Sequence, residues 1–257
     1  MLLLRQAFFH ACRVQYINWI TIKESTNEVI LISKELAHFI YSKYSSQPGS
    51  REIASLLALE HISTNLLYNN IHIVLELGGG IGTITELCLR TQSTENVITF
   101  EDNDFCVEVL NVLKREFPEK LEIITKLEKL HNFNAQMMII DYPIHFEFLK
   151  SSIVNNRETI QIIIVEGNRY FSRLSVCYIL LLQKKTFTIT TFVNKNDDRE
   201  ALFILKITKQ NLPNYFISFV ALLKLIPRYF RLQCRYLISR HKILKYIYSH
   251  ITFLFRN

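Results

Sequence analysis

Apolar and polar positions divide the chain into three stretches. Over residues 28–44 apolar side chains recur at helical spacing, at Val29, Ile32, Leu36, Phe39 and Ile40, which predicts an amphipathic helix. Ser45-Ser46-Gln47-Pro48-Gly49 follows and reads as a turn, because Pro and Gly both interrupt regular structure. Ser50 is then a candidate N-cap, with Glu52 in the first turn against the positive end of the helix dipole. A second helix is predicted over about 51–68, with Ile53, Leu56, Leu57 and Leu67 facing inward.

Beyond residue 70 the period changes. Short apolar runs appear at 71–77, 97–101, 121–125, 137–141 and 161–166, separated for the most part by helix-like segments at 82–90, 104–117, 144–155 and 170–183. Strands alternating with helices predict βαβ units and a parallel sheet covered on both faces. Two further runs, 186–193 and 201–208, close the series. The polar link between them, Asn194-Lys195-Asn196-Asp197-Asp198, leaves no room for a crossover helix, so this last pair is predicted to be an antiparallel hairpin. The connection over 126–136 is short for a crossover helix, which leaves open whether 137–141 or 161–166 is the fourth strand. Three regions follow from this pattern: a helical N-terminal extension and lid over 1–70, with Gln47-Pro48-Gly49 as the lid, a sheet domain over 71–209, and a tail over 210–257.

The sharpest chemical signal is Val74-Leu75-Glu76-Leu77-Gly78-Gly79-Gly80-Ile81-Gly82-Thr83. A strand ends there, the backbone turns tightly and a helix begins near Gly82. Glycine permits positive φ and lets a ligand approach the backbone closely, and the helix start offers free N–H groups. The dinucleotide fingerprint would need glycine at 83, where Thr83 stands, and a phosphate loop would need a lysine that does not follow. The spacing is instead Glu-x-Gly-x-Gly-x-Gly, at Glu76, Gly78, Gly80 and Gly82.

That run resembles motif I of the class I S-adenosylmethionine-dependent methyltransferases, and the likeness covers about residues 50–208. The resemblance implies a Rossmann-like α/β fold, with a parallel sheet of about seven strands ending in an antiparallel hairpin, as the pattern of runs predicts independently. It implies S-adenosylmethionine as cofactor, with the loop around its methionine part and Glu76 near its amino group. A second signal, Ile98-Thr99-Phe100-Glu101-Asp102, ends the second strand about 20 residues past the loop. A carboxylate there can accept two hydrogen bonds from a ribose diol; the resemblance assigns this to Glu101, with Asp102 beside the adenine.

Ile139-Ile140-Asp141-Tyr142-Pro143 lies at the sheet edge where ligands bind in such folds. Asp141 is the first candidate for a catalytic base. His145 is the second, sharing its face if a helix begins at Pro143. Asp-Tyr-Pro-Ile does not match the Asp/Asn-Pro-Pro-Tyr/Phe motif of the nucleic-acid amino-methyltransferases, and Asp141 lacks the flanking acids of metal-dependent relatives, so no metal is expected. Val165-Glu166-Gly167-Asn168-Arg169 offers either an anion-reaching Glu166 or Arg169, or a capped turn.

Composition adds two constraints. The five cysteines, Cys12, Cys88, Cys106, Cys177 and Cys234, form no C-x-x-C pair, which suits reduced thiols in the cytoplasm rather than a disulfide framework. The net charge of +7 is uneven: residues 201–257 hold ten Lys or Arg and no acid, leaving 20 basic and 23 acidic residues in 1–200. The sequence thus combines a mildly acidic body with a basic helical tail.

In 212–257 apolar positions such as Phe219, Leu222 and Ile226 alternate with Arg228, Arg231, Arg235, Arg240, Lys242 and Lys245, with tyrosines interleaved. One reading is a peripheral helix pair on an anionic membrane surface. Others are a nucleic-acid stripe, or helices packed on the domain with their arginines reaching water. High apolar content places the membrane ahead of nucleic acid. No span is expected, since the apolar run 215–223 is far below the roughly 20 residues a span needs. The expected activity is methyl transfer to oxygen or nitrogen of a small-molecule, glycan or lipid-linked acceptor. RNA methylation and a non-catalytic binding module are the alternatives.

Overall fold

The computed structural model describes residues 28, 30–130, 133–167, 169–194, 197–208, 214 and 217–223. Within them lie seven strands: β1 (Ile73–Leu77), β2 (Asn96–Phe100), β3 (Leu121–Ile124), β4 (Met137–Ile140), β5 (Ile162–Glu166), β6 (Thr186–Asn194) and β7 (Asp197–Thr208). They form one sheet in the order β3-β2-β1-β4-β5-β7-β6. Strands β1 to β5 are parallel, and β7 runs antiparallel to both β5 and β6. The helices are α1 (30–45), α2 (Leu56–Tyr68), α3 (Thr83–Arg90), α4 (Asp104–Glu116), α5 (Phe146–Asn155), α6 (Tyr170–Leu182) and a short α7 (217–223).

The central strands read as unbroken apolar runs because both of their faces are buried. Alternate residues feed two cores. One joins Val74, Val97, Ile139 and Ile164 to Ile40 of α1, Leu59 and Ile62 of α2, Leu87 of α3 and Leu110 of α4. The other joins Leu75, Ile98, Ile140 and Val165 to Leu149 and Ile153 of α5, Val176 and Leu180 of α6, and Leu222 of α7. Ser218 on α7 donates to the Phe187 carbonyl and accepts from the Phe187 amide, both at 3.0 Å, and so seats α7 at the start of β6.

Several expectations change in detail. The inward face of α1 is Ser33, Ala37, Ile40 and Tyr44, whereas Ile32 and Phe39 are 48% and 57% exposed. Ser50 begins only a 3₁₀ turn, Ser50–Glu52. The cap of α2 is Ser55, whose side chain accepts from the Ala58 amide at 3.2 Å. The 126–136 connection holds just a 3₁₀ turn, Leu127–Lys129, yet β4 lies between β1 and β5, so Asp141 keeps its place at the sheet edge. Asp197, expected in the hairpin link, already pairs with Asn194. Among the described residues no helix is long and apolar enough to cross a membrane. Apart from 214 and 217–223, the basic tail and its membrane and nucleic-acid readings lie outside the described residues.

Candidate active site

Strand register sets the candidates along one edge of the sheet. Leu77 pairs with Phe100 on one side and with Ile140 on the other, and Ile140 pairs with Val165. The pairing continues one step further: the Gly78 amide donates to the Phe100 carbonyl at 2.9 Å, and the Asp141 amide to the Leu77 carbonyl at 2.8 Å. Residue 78 therefore stands between residues 101 and 141, and Asp141 stands beside Glu166. Because alternate residues share a face, Glu101, Asp141 and Glu166 form a row with a gap at Gly78. Glu76 lies one pleat below that gap.

The loop over this edge turns as only glycine allows at Gly78, where φ is +100° and an added Cβ would lie 2.5 Å from the Asp141 carbonyl oxygen. Gly80 has φ +51° and open space where its Cβ would be. Gly82 is the N-cap of α3. The loop is pinned by Glu101: one carboxylate oxygen accepts from the Gly80 amide at 2.7 Å, the other from the amides of Asp102 at 3.0 Å and Asn103 at 2.9 Å. Asp102 is exposed and accepts from the Tyr142 hydroxyl at 2.7 Å, which ties the ends of β2 and β4 together.

A cavity of about 170 Å³ opens beneath the loop. Since a single water needs only roughly 10–15 Å³ measured this way, the space suits a small organic group. Its walls are Glu76, Gly78, Gly79, Gly80, Ile81, Thr83 and Ile84 from the β1–α3 unit, Asn103, Phe105 and Cys106 from the start of α4, Asp141 after β4, and Gly49, Ile53 and Ala54 from the segment before α2. Two wall residues carry buried side-chain oxygens with no hydrogen-bond partner, Glu76 Oε1 and Thr83 Oγ1. Such groups are costly unless something meets them. Glu76 is 1% exposed, and its other oxygen accepts from the Thr85 hydroxyl at 2.6 Å. Burial, opposed by the Thr85 and Thr99 hydroxyls and helped by the nearby Asp141 and Glu101, pushes its carboxyl up to about 8.

Asp141 is held in place by Arg169, which donates to its carboxylate at 2.5 Å and to its carbonyl oxygen at 2.9 Å. Burial and the adjacent Asp141 carboxyl push Glu166 up, as expected for two acids side by side. Glu76, Gly78, Gly80 and Asp141 are thus brought together on the cavity wall, Gly82 caps the following helix and Glu101 fastens the loop. His145 is not brought in: α5 begins at Phe146, not at Pro143, and His145 is its exposed N-cap. Sequence reasoning missed Asn103, Phe105 and Cys106. The signal was present, since Asn103 before an apolar-periodic run is a helix start; its side chain accepts from the Cys106 amide at 3.2 Å. Phe105 in that first turn is 47% exposed, an apolar ring left on the cavity wall.

No family model matches the sequence, and no curated protein matches it. Among solved structures, the chain is similar to an rRNA methylase from Streptococcus thermophilus, at 15% identity and a TM-score of 0.43, over 59% of this chain and 96% of that one. It is also similar to the Podospora anserina methyltransferase PaMTH1 bound to S-adenosylhomocysteine, at 10% identity and a TM-score of 0.48, over 72% and 96%. A third is M. capricolum TrmK in complex with S-adenosylhomocysteine, at 10% identity and a TM-score of 0.41, over 54% and 62%. The mostly parallel seven-stranded sheet with its antiparallel end hairpin is the Rossmann-like α/β fold expected from the sequence.

Proposed function

We propose that the cavity binds S-adenosylmethionine and that the protein transfers its methyl group to an oxygen or nitrogen acceptor. The observation that carries this reading is Glu76 Oε1, a fully buried carboxylate oxygen without a partner on the wall of a cavity roofed by the glycine loop. A buried acid with an open lone pair and no basic side chain on the same wall is suited to an ammonium group. Each Glu101 oxygen can accept more than one hydrogen bond, which leaves capacity for ribose hydroxyls beyond the loop amides. Phe105 and Ile81 offer apolar surface for a heteroaromatic ring.

When bound, the cofactor supplies an activated methyl group, so the protein's own task is chiefly positioning. Asp141 is the wall residue placed to orient an acceptor, and to take its proton if the acceptor is a hydroxyl. Arg169 fixes that carboxylate from behind, and Glu166 holds its other flank.

Calorimetric titration with S-adenosylmethionine and S-adenosylhomocysteine tests the reading, beside a Gly80→Arg variant. Gly80 lines the cavity with open space at its Cβ, so a long side chain there obstructs the cavity at a backbone cost of about 1–2 kcal/mol for its positive φ. Binding by the parent protein and its loss in the folded variant are the expected pair. A folded, ligand-free parent protein that takes up neither compound sinks the proposal.

A further inference from the structure

Among the described residues that line the cavity there are two carboxyls, Glu76 and Asp141, and no Lys, Arg or His. The Arg169 guanidinium is bound to Asp141. Among the described residues of the wall, Glu76 therefore meets hydroxyls but no cation. From α3 it meets the Thr85 hydroxyl, which donates one hydrogen bond, and Cys88, a fully buried thiol that burial and then Glu76 push well up, so that it stays neutral. From β2 come Thr99, whose hydroxyl like that of Thr85 favours the ionised form, and Glu101, and from the end of β4 Asp141, with Glu166 beyond it; burial outweighs the two hydroxyls, and the acids Asp141 and Glu101 both add to the cost of ionising Glu76. A carboxyl in such surroundings keeps its proton until a cation arrives.

We propose that ligand entry is an exchange at Glu76: as the ammonium group of the ligand reaches the unpartnered oxygen, the carboxyl proton leaves to solvent, so that uptake of the cationic cofactor releases a proton. The inference rests on the S-adenosylmethionine reading and adds to it a direction of pH dependence and a basis for selectivity. A ligand lacking the ammonium group has nothing to offer in exchange and meets a neutral Glu76. The charge balance is closed: one positive group enters, one proton leaves, and the ion pair formed at Glu76 is neutral.

That Glu76 sits at about 8 sets the range. At pH 7 such a group is mostly protonated, so about 0.9 protons are released per ligand bound, and the apparent Kd falls about tenfold between pH 6 and pH 7 before levelling off as Glu76 itself ionises. The experiment is calorimetry of S-adenosylmethionine binding at pH 7 in buffers of different ionisation enthalpy. The slope of observed heat against buffer enthalpy counts the protons. Wild-type protein is expected to give a slope near one proton, Glu76→Gln a slope near zero with weakened binding, and Glu166→Gln a slope like that of wild type. A wild-type slope of zero with binding intact overturns the exchange while leaving the cofactor reading in place. A slope lost in Glu166→Gln but kept in Glu76→Gln assigns the proton elsewhere and also overturns it. No binding in any buffer removes the cofactor reading and the exchange together. Should Glu76→Gln fail to fold, the wild-type buffer series decides by itself.

Discussion

Replacing Gly78 with alanine and, separately, Gly80 with alanine adds the same methyl group to the same loop, and the structure predicts very different outcomes. At Gly78 φ is +100°, a conformation that costs a non-glycine residue about 1–3 kcal/mol. The added Cβ would also meet the Asp141 carbonyl oxygen at 2.5 Å, its carbon at 2.8 Å and Tyr142 Cβ at 2.9 Å. Two of these three atoms are backbone, so relief requires the β1 and β4 ends to part. That movement strains the Gly78 amide bond to Phe100 and the Asp141 amide bond to Leu77, each contributing about 1 kcal/mol. The sum is about 3–5 kcal/mol, a large share of the roughly 5–15 kcal/mol that holds a domain together. At Gly80 φ is +51° and nothing lies within 4 Å, so the cost is only the left-handed backbone, about 1–2 kcal/mol. Urea unfolding followed by circular dichroism gives both differences from the shift in midpoint at constant slope. Equal destabilisation of the two variants, or a Gly78→Ala protein as stable as its parent, would refute the reasoning.

Two further predictions concern the frame around the site. Glu86 is fully buried and accepts from Lys43, Tyr44 and Arg90, clamping α1 to α3; Glu86→Ala is expected to cost about 2–3 kcal/mol, below the usual range for a broken buried pair because Lys43 and Arg90 are about a third exposed. Burial alone would raise the Glu86 carboxyl, but the bonds from Lys43, Tyr44 and Arg90 hold it below its ordinary 4.5, so its contribution is present above pH 4.5 and is lost as pH falls through the lower folded-state value; the wild-type and Glu86→Gln unfolding midpoints should converge as pH falls below 4.5, and a gap that widens there counts against the clamp. Asn156 is buried, accepts from the Phe133 and Ala135 amides at 3.1 and 3.0 Å, and donates to the Ser152 carbonyl at 2.9 Å. Asn156→Ala leaves two amides ahead of β4 unmet and should cost about 2–4 kcal/mol, read as faster hydrogen exchange at Ala135; unchanged exchange there would show that the amides find other partners.

The strands were legible because burial on both faces leaves a simple mark, the apolar run, as at Met137–Ile140 and Ile162–Glu166; which of these two is the fourth strand was not legible, because the short 126–136 connection lacks the crossover helix that would have marked it. The glycine loop was legible because its backbone requirement restricts residue type. The inward face of α1 was not. Ser33 occupies the crossing with α2, bonding to the Ile30 carbonyl and the Thr64 hydroxyl, while the larger Ile32 and Phe39 stay outside. A small polar residue that satisfies itself locally fits a close helix crossing, and no hydropathy period marks it. The sequence points to Ser50 as the cap, but Ile53 and Ala54 are drawn onto the cavity wall and the helix starts beyond them, at Ser55. His145 failed for a similar reason. The Ile144 amide turns back to the Tyr142 carbonyl at 2.9 Å, which delays α5 and leaves the histidine at its exposed start.

The acids that the sequence singles out as candidates belong to one physical arrangement. Parallel strands bring equivalent positions to one edge, so Glu101, Asp141 and Glu166 stand in a row with Glu76 beneath the gap at Gly78. Four carboxyls so close would repel if all were ionised. Three have local answers: Glu101 takes loop amides, Asp141 takes Arg169, and Glu166, flanked by Asp141, is pushed toward its neutral form. Of these four, Glu76 alone keeps a buried oxygen unmet, on the wall of the cavity beneath the glycine loop. Fold and site are therefore coupled at this point. The same β1 end that requires glycine at 78, against the Asp141 carbonyl, carries the carboxylate whose second oxygen faces the cavity without a partner.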